Sequence, residues 1–230
     1  MKNKVLVIDI GGSHVKLMIS RAQKRKFKSG PKLTPREMIA QMKPLVMPDW
    51  EFDVIAIGFP SPVRDGKILS EPKNLGHGWV GFNFEKALRK PVRIINDASL
   101  QALGSYHGGR MLFLGLGTGL GSALVWGNTV LPLELGDLPY RNRRVIEDYL
   151  GKPGAAEMGA KEWQAEVAFA VAQLKKSLIA DYVVLGGGNV KKLDHLPDGA
   201  ERGYNRNAFL GGVRLWQIND RTGRAKWMIM

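Results

Sequence analysis

Short apolar runs that end at glycine turns predict the first strands of the chain. Residues 5–10 form a run closed by the Gly-Gly-Ser turn at 11–13. Val15, Leu17 and Ile19 then alternate with other positions, which is the period of a strand with one buried face. We therefore expect a β-hairpin built around a glycine turn.

The next pattern indicates a third strand, a helix and a second buried strand. A short basic strand is expected at 25–28. Thr34 is placed as an N-cap with proline at the first helical position, so a helix is predicted over Pro35–Val46. Residues 53–58 read as a buried strand, and 59–62 as a rigid loop because two prolines cannot continue a central strand.

Another strand-to-helix transition follows in the middle of the chain. Residues 92–95 are apolar and predict a strand. Asp97 then stands at the expected N-cap, ahead of Leu100, Leu103 and Tyr106 at helical spacing.

The second half repeats the pattern of the N-terminus. Residues 111–116 are an apolar strand, 117–121 a glycine-rich turn and 123–126 a returning strand. At an offset of 106 residues, four positions match: Leu6, Ile8, Ile10 and Gly11 with Leu112, Leu114, Leu116 and Gly117. The repeat suggests a duplicated fold whose two lobes each present a glycine turn to a shared cleft.

The remaining pattern predicts a long helix at 162–178, a strand at 182–185 and a closing helix at 205–215. We expect a two-lobed α/β protein with an N-terminal lobe at 1–95 and a C-terminal lobe at 96–230, the last helix being able to pack back on the first lobe.

Composition narrows the class of protein. The chain has 34 Lys and Arg against 21 Asp and Glu, a formal charge of +13, and no Cys. Without cysteine there is no disulfide framework, thiolate zinc site, iron–sulfur cluster or cysteine nucleophile, and a reducing cytoplasm is expected. No apolar run approaches a membrane span and no leader pattern is present, so we expect no membrane partner. The charge favours polyanionic partners without specifying which.

The turn at residues 9–13 has the composition of a phosphate-binding loop. Glycines at 11 and 12 allow the backbone amides to approach phosphate oxygens closely, and Asp9 can hold Mg²⁺ directly or through water. Lys16 on the returning strand can add a positive charge. The alternative is an ordinary tight hairpin turn.

The segment 115–122 contains four glycines and Thr118. Its spacing approaches a dinucleotide fingerprint, but the chain continues as a strand rather than a helix, so a Rossmann site is not expected. A second phosphate loop fits, and a glycine-rich hairpin is the alternative.

Asn96 and Asp97 are the best candidates for catalysis. A carboxylate between a strand and a helix can accept a proton from a substrate hydroxyl as its oxygen attacks phosphorus. A neighbouring amide can bind another hydroxyl. Asp97 can equally serve only as a helix cap, and the two roles are compatible.

Nine segments carry a resemblance to a known family: residues 9–16 (DIGGSHVK), 58–63 (GFPSPV), 74–79 (NLGHGW), 95–104 (INDASLQALG), 115–122 (GLGTGLGS), 134–136 (ELG), 147–151 (EDYLG), 183–189 (VVLGGGN) and 207–216 (NAFLGGVRLW). Together they resemble the ROK sugar kinases, and among these the polyphosphate glucokinases most closely. The resemblance implies an actin-like ATPase fold of the ribonuclease H-like type, with two lobes around a cleft.

The resemblance also implies site residues. For the phosphoryl donor it implies three loops: Asp9, Gly11, Gly12 and Ser13; Gly117, Thr118 and Gly119; and Gly186, Gly187 and Gly188, the last beside a nucleotide base. For the sugar it implies hydroxyl ligands at Asn74, Asn96, Asp97, Glu134 and Glu147, with Asp97 also the general base. Mg²⁺ is expected near Asp9 and Asp97. The cysteine-rich zinc motif of many members is absent, so no zinc is expected.

One departure from the family bears on the sugar. Members usually read Glu-x-Gly-His where this chain has Glu134-Leu135-Gly136-Asp137, so an acid replaces a histidine that touches the sugar. We place Asp137 at the sugar site and expect it to affect sugar preference.

The resemblance implies a homodimeric kinase that transfers a phosphoryl group from polyphosphate, ATP or both to the 6-hydroxyl of glucose. The alternatives are an ATP-dependent hexokinase for mannose, fructose or an amino sugar, and a catalytically weak sugar-binding regulator. Regulators of the family carry an N-terminal DNA-binding motif, for which the residues before Asp9 leave no room, so no nucleic-acid partner is expected.

Overall fold

Two β-sheets separated and flanked by helices make up the protein. The computed structural model describes residues 3–47, 49–204 and 206–230. The strands are β1 (Val5–Ile10), β2 (His14–Met18), β3 (Lys24–Lys28), β4 (Val54–Phe59), β5 (Val63–Arg64), β6 (Lys67–Ile68), β7 (Val92–Asn96), β8 (Arg110–Leu116), β9 (Leu120–Trp126), β10 (Thr129–Leu133), β11 (Tyr182–Gly186), β12 (Ala200–Arg202) and β13 (Met228–Ile229). The α-helices are α1 (Pro35–Val46), α2 (Phe84–Leu88), α3 (Asp97–Ser105), α4 (Ile146–Leu150), α5 (Lys152–Glu157), α6 (Ala160–Ser177) and α7 (Asn207–Leu215).

The two large sheets share one connectivity. The first has the order β3-β2-β1-β4-β7, in which the first three strands are antiparallel and the last two join in parallel. Written from the corresponding edge, the second has the order β10-β9-β8-β11-β12, in which the first three strands are antiparallel and the last two join in parallel. Strand β13 pairs with β10 and extends that edge of the sheet. The predicted duplication is therefore confirmed, with β1 and β8 in equivalent central positions.

Alternation along β1 distributes its side chains between two cores. Leu6 and Ile8 point to an outer core that α1 and α2 cover. Val5 and Val7 point to a middle core that lies between the sheets. Asp9 shares the face of Val5 and Val7 because side chains alternate along a strand, so its carboxylate is directed to the space between the sheets.

The equivalent strand β8 follows the same rule. Leu112 and Leu114 face an outer core beneath α6, while Met111 and Phe113 face the middle core. Gly115 lies on the inner face and leaves space where the sheets diverge.

Helices α3 and α7 form the layer between the sheets and cross at a close glycine contact. A Cβ atom on Gly104 would overlap the carbonyl oxygen of Asn207, and one on Gly211 would overlap that of Leu100. On the other side of α7, a Cβ on Gly212 would overlap the side chain of Val7. Only glycine therefore lets α7 lie this close to both α3 and the first sheet.

Some predicted boundaries differ from the structure. The N-cap of α3 is Asn96, not Asp97: the Asn96 side chain accepts hydrogen bonds from two amides of the first turn, and Asp97 is the first helical residue. The long helix begins at Ala160, two residues earlier than predicted. The closing helix begins at Asn207, and the predicted start at Asn205 lies outside the described residues. The lobe boundary after residue 95 stays a prediction.

Across the described parts of the chain, no helix combines the length and apolarity required to cross a membrane.

Replacing Gly211 with alanine should lower the free energy of unfolding by about 1–3 kcal/mol, because the new methyl group forces α3 and α7 apart. Alanine has the higher helix propensity, so any net loss reports the overlap rather than the helix. Urea denaturation measures the change. The control is Gly188→Ala, where a Cβ would meet no atom within 4 Å; equal stability of the two variants would contradict the close crossing.

Candidate functional site

A cleft of about 450 Å³ opens where the two sheets diverge. Eleven residues that the sequence singled out lie on its wall: Gly12, Asn74, Asn96, Asp97, Gly117, Thr118, Gly119, Glu134, Asp137, Glu147 and Gly187. Six others are not on the wall: Asp9, Gly11, Ser13, Lys16, Gly186 and Gly188. Most of these six are neighbours of wall residues in the same loops, so all the predicted segments meet at one place.

The first glycine turn has backbone amides that are available to a ligand. Gly11 donates its N–H to the carbonyl of His14 at 3.0 Å, and its own carbonyl accepts the Ser29 hydroxyl at 2.6 Å. Within the described residues, the amides of Gly12 and Ser13 donate to no protein acceptor. The turn is thus held by the end of β3 while two N–H groups remain for an anion.

The second glycine turn joins β8 to β9 and has the same property. Gly117 donates to the carbonyl of Gly119 at 3.1 Å, whereas the amides of Thr118 and Gly119 have no acceptor in the described part of the chain. A side chain at Gly119 would overlap the carboxylate of Glu147. Glu147 also accepts the amide of Leu120 at 3.4 Å, so it supports the turn.

The third glycine turn lies against the second. Gly187 has a φ of +86°, and a Cβ there would overlap the carbonyl of Leu116. The side-chain amide of Asn189 donates to the carbonyl of Gly117 at 2.9 Å. These contacts place 186–188 beside 117–119, where both turns can contact one phosphorylated ligand.

Asp97 is at the centre of the cleft, at the start of α3. Burial raises the pKa of its carboxyl to about 7, and the negative charges of Asp9 and Glu134 act in the same direction. The amide of Ala98, which Asp97 accepts at 2.8 Å, and the Lys16 ammonium oppose the rise. A carboxyl with a pKa near neutrality can take up and release a proton under physiological conditions.

Asp9 and Lys16 form a buried pair at the end of β1. The ammonium of Lys16 lies 2.9 Å from the carboxylate of Asp9, whose side chain is 4% exposed. Opposed to them, Asp97 carries a second carboxylate close enough for the two charges to repel. No set of three or more His, Cys, Asp or Glu side chains that could hold a metal ion occurs among the described residues. Two carboxylates with substrate phosphates and water nevertheless suit Mg²⁺, which rarely uses an all-protein cage.

Asn74 and Asn96 present side-chain amides to the cleft. Asn96 is buried, and its side-chain oxygen accepts the amides of Ala98 and Ser99 at 2.9 and 3.2 Å. This bonding leaves its NH₂ group for a ligand. Asn74 contacts the first glycine turn, since a Cβ on Gly12 would lie 3.2 Å from that of Asn74. An oxygen-rich ligand would meet both side chains.

Lys73 is a cleft residue that sequence reasoning missed. Its ammonium lies 3.3 Å from Glu147 and 3.8 Å from Asp137. The charge of Glu147 and the hydrogen bond to it raise the pKa of Lys73. Its position directly before Asn74 is the sequence signal that could have identified Lys73 as a cleft residue. Lys73 connects the loop between β6 and α2 with two acids from the region after β10.

Glu134 completes an acidic group with Asp137 and Glu147. Although solvent reaches it, burial raises the pKa of Glu134, and the charges of Asp137 and Glu147 raise it further, while Lys73 opposes them. Three carboxylates therefore face one lysine, and this end of the cleft is negative.

The loop that carries Asn74 is ordered by Glu71. Its carboxylate accepts the amides of Gly78, Trp79 and Val80, each at 3.2 Å. Burial opposes ionisation of Glu71, but these three hydrogen bonds outweigh it and lower its pKa. Trp79 is fully buried, and the centroid of its ring lies 5.1 Å from that of Phe59.

Comparison with protein families gives a match to the ROK family model over residues 5–132. Polyphosphate glucokinases of Mycobacterium leprae and Mycobacterium tuberculosis are 23% and 24% identical over 154 and 161 residues, which is 61% of this chain in each case. The aligned parts span 47% and 58% of those proteins, so the match extends over only about half of the relatives' length.

The fold also matches solved structures. The inorganic polyphosphate/ATP-glucomannokinase from Arthrobacter sp. strain KM superimposes with a TM-score of 0.77 at 20% identity, covering 91% of this chain and 96% of that one. This likeness confirms the predicted actin-like ATPase fold.

Replacing Asp97 with asparagine should stabilise the protein in alkaline conditions. The unfolded carboxyl ionises near pH 4 and the native one near pH 7, so the native state loses stability as the pH rises between these values. Asparagine removes this loss and can keep the hydrogen bond to Ala98. At pH 8 we expect a gain on the order of 2–4 kcal/mol, and at pH 4 little difference.

Urea denaturation at the two pH values measures this effect. The control is Asp65→Asn at an exposed turn position. Its effect on the free energy of unfolding should be the same at pH 4 and at pH 8. A pH-independent effect of Asp97→Asn would contradict the raised pKa.

Proposed function

Because the chain belongs to the ROK family, we propose that it is a kinase that transfers a phosphoryl group from inorganic polyphosphate, ATP or both to the 6-hydroxyl of glucose. The observation that carries the proposal is the Asp97 carboxyl, with a pKa of about 7, beside two turns with available amides. The similarity to polyphosphate glucokinases and to a polyphosphate/ATP-glucomannokinase supports the choice of donor and sugar.

Phosphate binding is assigned to the glycine turns. The amides of Gly12 and Ser13 on one side, and of Thr118 and Gly119 on the other, would hold oxygens of the terminal phosphates. Phosphoryl transfer depends mainly on positioning and on stabilising charge, and fixed amides provide both. The Gly187 turn lies where it would contact the rest of the donor.

Proton transfer is assigned to Asp97. Its ionised carboxylate accepts the proton of the 6-hydroxyl while that oxygen forms a bond to phosphorus. The bond from phosphorus to the bridging oxygen breaks, and the leaving phosphate chain or ADP keeps the electron pair. Asn74, Asn96 and Glu134 would orient the sugar through its other hydroxyls.

Asp9 and Asp97 would hold Mg²⁺, directly or through water. When bound, the ion would neutralise charge on the transferring group. Lys16 orients Asp9 through their 2.9 Å ion pair. We also propose the cytoplasm as the compartment, which the absence of cysteine fits, and a homodimer stays a prediction.

One observation favours a second substrate. Glu134, Asp137 and Glu147 make the sugar end of the cleft negative, with Lys73 as their one close cation among the described residues. An amino sugar with a protonated amine would gain from this field, whereas glucose would not. A 2-amino hexose is therefore the alternative acceptor.

Asp97→Asn should reduce kcat with glucose by about 10²–10⁴-fold, because the amide cannot accept the proton. In the wild type, kcat/KM should fall as the pH drops below about 7, and this acidic limb should be absent from any residual activity of the variant. Initial rates with polyphosphate and with ATP at matched phosphoryl concentration measure both effects and identify the donor.

The control variant for this experiment is Asp65→Asn, which should keep full activity. Near-normal turnover of Asp97→Asn would refute the assignment of Asp97 as the general base. If the wild type transfers phosphate from neither donor, the kinase proposal is refuted and a sugar-binding regulator remains as the alternative.

Asp137→Asn should change the choice of sugar. We expect the ratio of kcat/KM for glucosamine to that for glucose to fall about threefold to tenfold, since one of the three carboxylates is lost. N-acetylglucosamine, which has no charge, should be affected as glucose is. Asp148→Asn is the control, because Asp148 pairs with Arg144 away from the cleft. An unchanged ratio would exclude an electrostatic role for Asp137.

A further inference from the structure

A second cavity, the basic groove, lies between the β2–β3 hairpin and the start of α7. Its volume is about 330 Å³. Six of its nine lining residues are cationic: Lys16, Arg21, Lys24, Arg25, Lys26 and Arg206. None of the lining residues is acidic. The groove therefore concentrates positive charge in a concave surface, which is the arrangement that attracts an extended anion.

Strand register places Lys16, Lys24 and Lys26 on the face of the sheet that carries Asp9. Asp9 pairs with Lys16 across β1 and β2, and Lys16 pairs with Lys26 across β2 and β3. Two residues further along, Lys24 lies opposite Met18. Like charges directly opposite each other in a sheet are destabilising. Asp9 compensates Lys16 at 2.9 Å, so Lys26 is the member of this pair that an added anion would stabilise.

The cations of the groove are largely unpaired. Among the described residues, Arg21, Lys24, Lys26 and Arg206 form no ion pair with an acid. The exceptions are Lys16, which pairs with Asp9, and Arg25, which pairs with Asp49 on the other face of β3. The charge of the groove is thus available to a ligand.

Two arginines of another basic cluster are neutralised by their own neighbours. Arg141 pairs with Glu166, and Arg144 lies 3.0 Å from Glu157. Neither arginine lines the cleft or the groove. These two charges are compensated, whereas most cations of the groove line one concave surface without an ion pair among the described residues.

Lys16 brings the basic groove to the Asp9 end of the cleft. Lys16 lines the groove with its stem while its ammonium contacts Asp9. At the end of β3, Ser29 bonds to the carbonyl of Gly11 and so joins the hairpin to the first glycine turn. An anion leaving that turn meets Lys16 first, then Lys26 and Lys24.

We propose that the basic groove binds the trailing phosphates of a linear polyphosphate whose terminal phosphate lies at the glycine turns. The inference rests on the proposed kinase function and specifies its donor. Lys24 and Lys26 are two residues apart on a strand, roughly 6.6 Å, so successive cations follow an extended chain. The three phosphates of ATP would be held at the glycine turns and gain little from the groove.

Nucleic acid fits the groove less well. Proteins that bind single strands combine cations with aromatic side chains on which bases stack. The one aromatic residue that lines the groove is the half-buried Phe209. A polymer of phosphates without bases needs only the cations.

The test uses the double variant Lys24→Glu/Lys26→Glu. With long-chain polyphosphate, KM should rise about tenfold or more, because two attractive positions become repulsive, while KM for ATP should change less than about twofold. The wild-type KM should also fall as the polyphosphate lengthens until the chain spans the groove, and the variant should lose this dependence. Higher salt should weaken polyphosphate binding by the wild type more than polyphosphate binding by the variant.

The matched control is Lys161→Glu/Lys176→Glu, which makes the same change of charge on exposed positions of α6. It should leave both KM values unchanged. An equal rise in KM for polyphosphate in both double variants would overturn the groove as the site and assign the effect to net charge. An unchanged KM for polyphosphate in Lys24→Glu/Lys26→Glu would also overturn the groove as the polyphosphate site.

Direct binding separates the groove from the kinase function. Fluorescently labelled polyphosphate should bind the wild type and be displaced by unlabelled polyphosphate at far lower concentration than by single-stranded DNA of equal charge. Equal displacement by DNA would overturn polyphosphate as the occupant. If the protein transfers phosphate from ATP but neither binds polyphosphate nor uses it as a donor, the groove proposal is refuted and the kinase proposal is supported. Binding without transfer from any donor would refute the kinase and leave the groove supported.

Discussion

The close crossing of α3 and α7 is the constraint on which the arrangement of this protein depends. Gly104 and Gly211 let the two helices touch through their backbones, and Gly212 lets α7 rest on Val7 of the first sheet. Both sheets therefore pack against one thin layer and diverge beyond it. The cleft forms at that divergence, and because α3 begins there, Asn96 and Asp97 are held at its centre by a packed helix rather than by a loop.

Electrostatic conditions within the cleft follow from this geometry. Asp97 stands in a poorly solvated position near the Asp9 carboxylate, which one lysine compensates. The ionised form of Asp97 is therefore unfavourable in the folded protein, and the helix packing has to offset that loss of stability. A surface acid of ordinary pKa would not reduce stability, but it would also be a weaker proton acceptor. The cleft carries groups of both signs: amides of the glycine turns face the expected phosphates, and the carboxylates of Glu134 and Asp137 face the expected sugar. Glu147 contacts both the second glycine turn and Lys73.

Much of this organisation was predictable because it is local. Periodicity located β1 and β8, and the offset of 106 residues predicted their equivalence, since a repeated strand-turn-strand unit repeats the same alternation of buried faces. The cap of α3 was misassigned because Asn96 and Asp97 are both good capping residues, and only the backbone geometry decides between them. Lys73 was missed because its role depends on acids more than 60 residues away in sequence, which no local pattern connects.

The net charge illustrates the same limit. A value of +13 is one number, and sequence alone does not show which cations are compensated. In the structure, Arg141 and Arg144 are neutralised by acids of the same region, whereas Lys24 and Lys26 share a sheet face with Lys16 and have no acid beside them. Register decides this, because a one-residue shift of β3 would turn both lysines to the opposite face. The pairing of one edge strand therefore gathers part of a general excess of charge on the sheet face that carries Asp9.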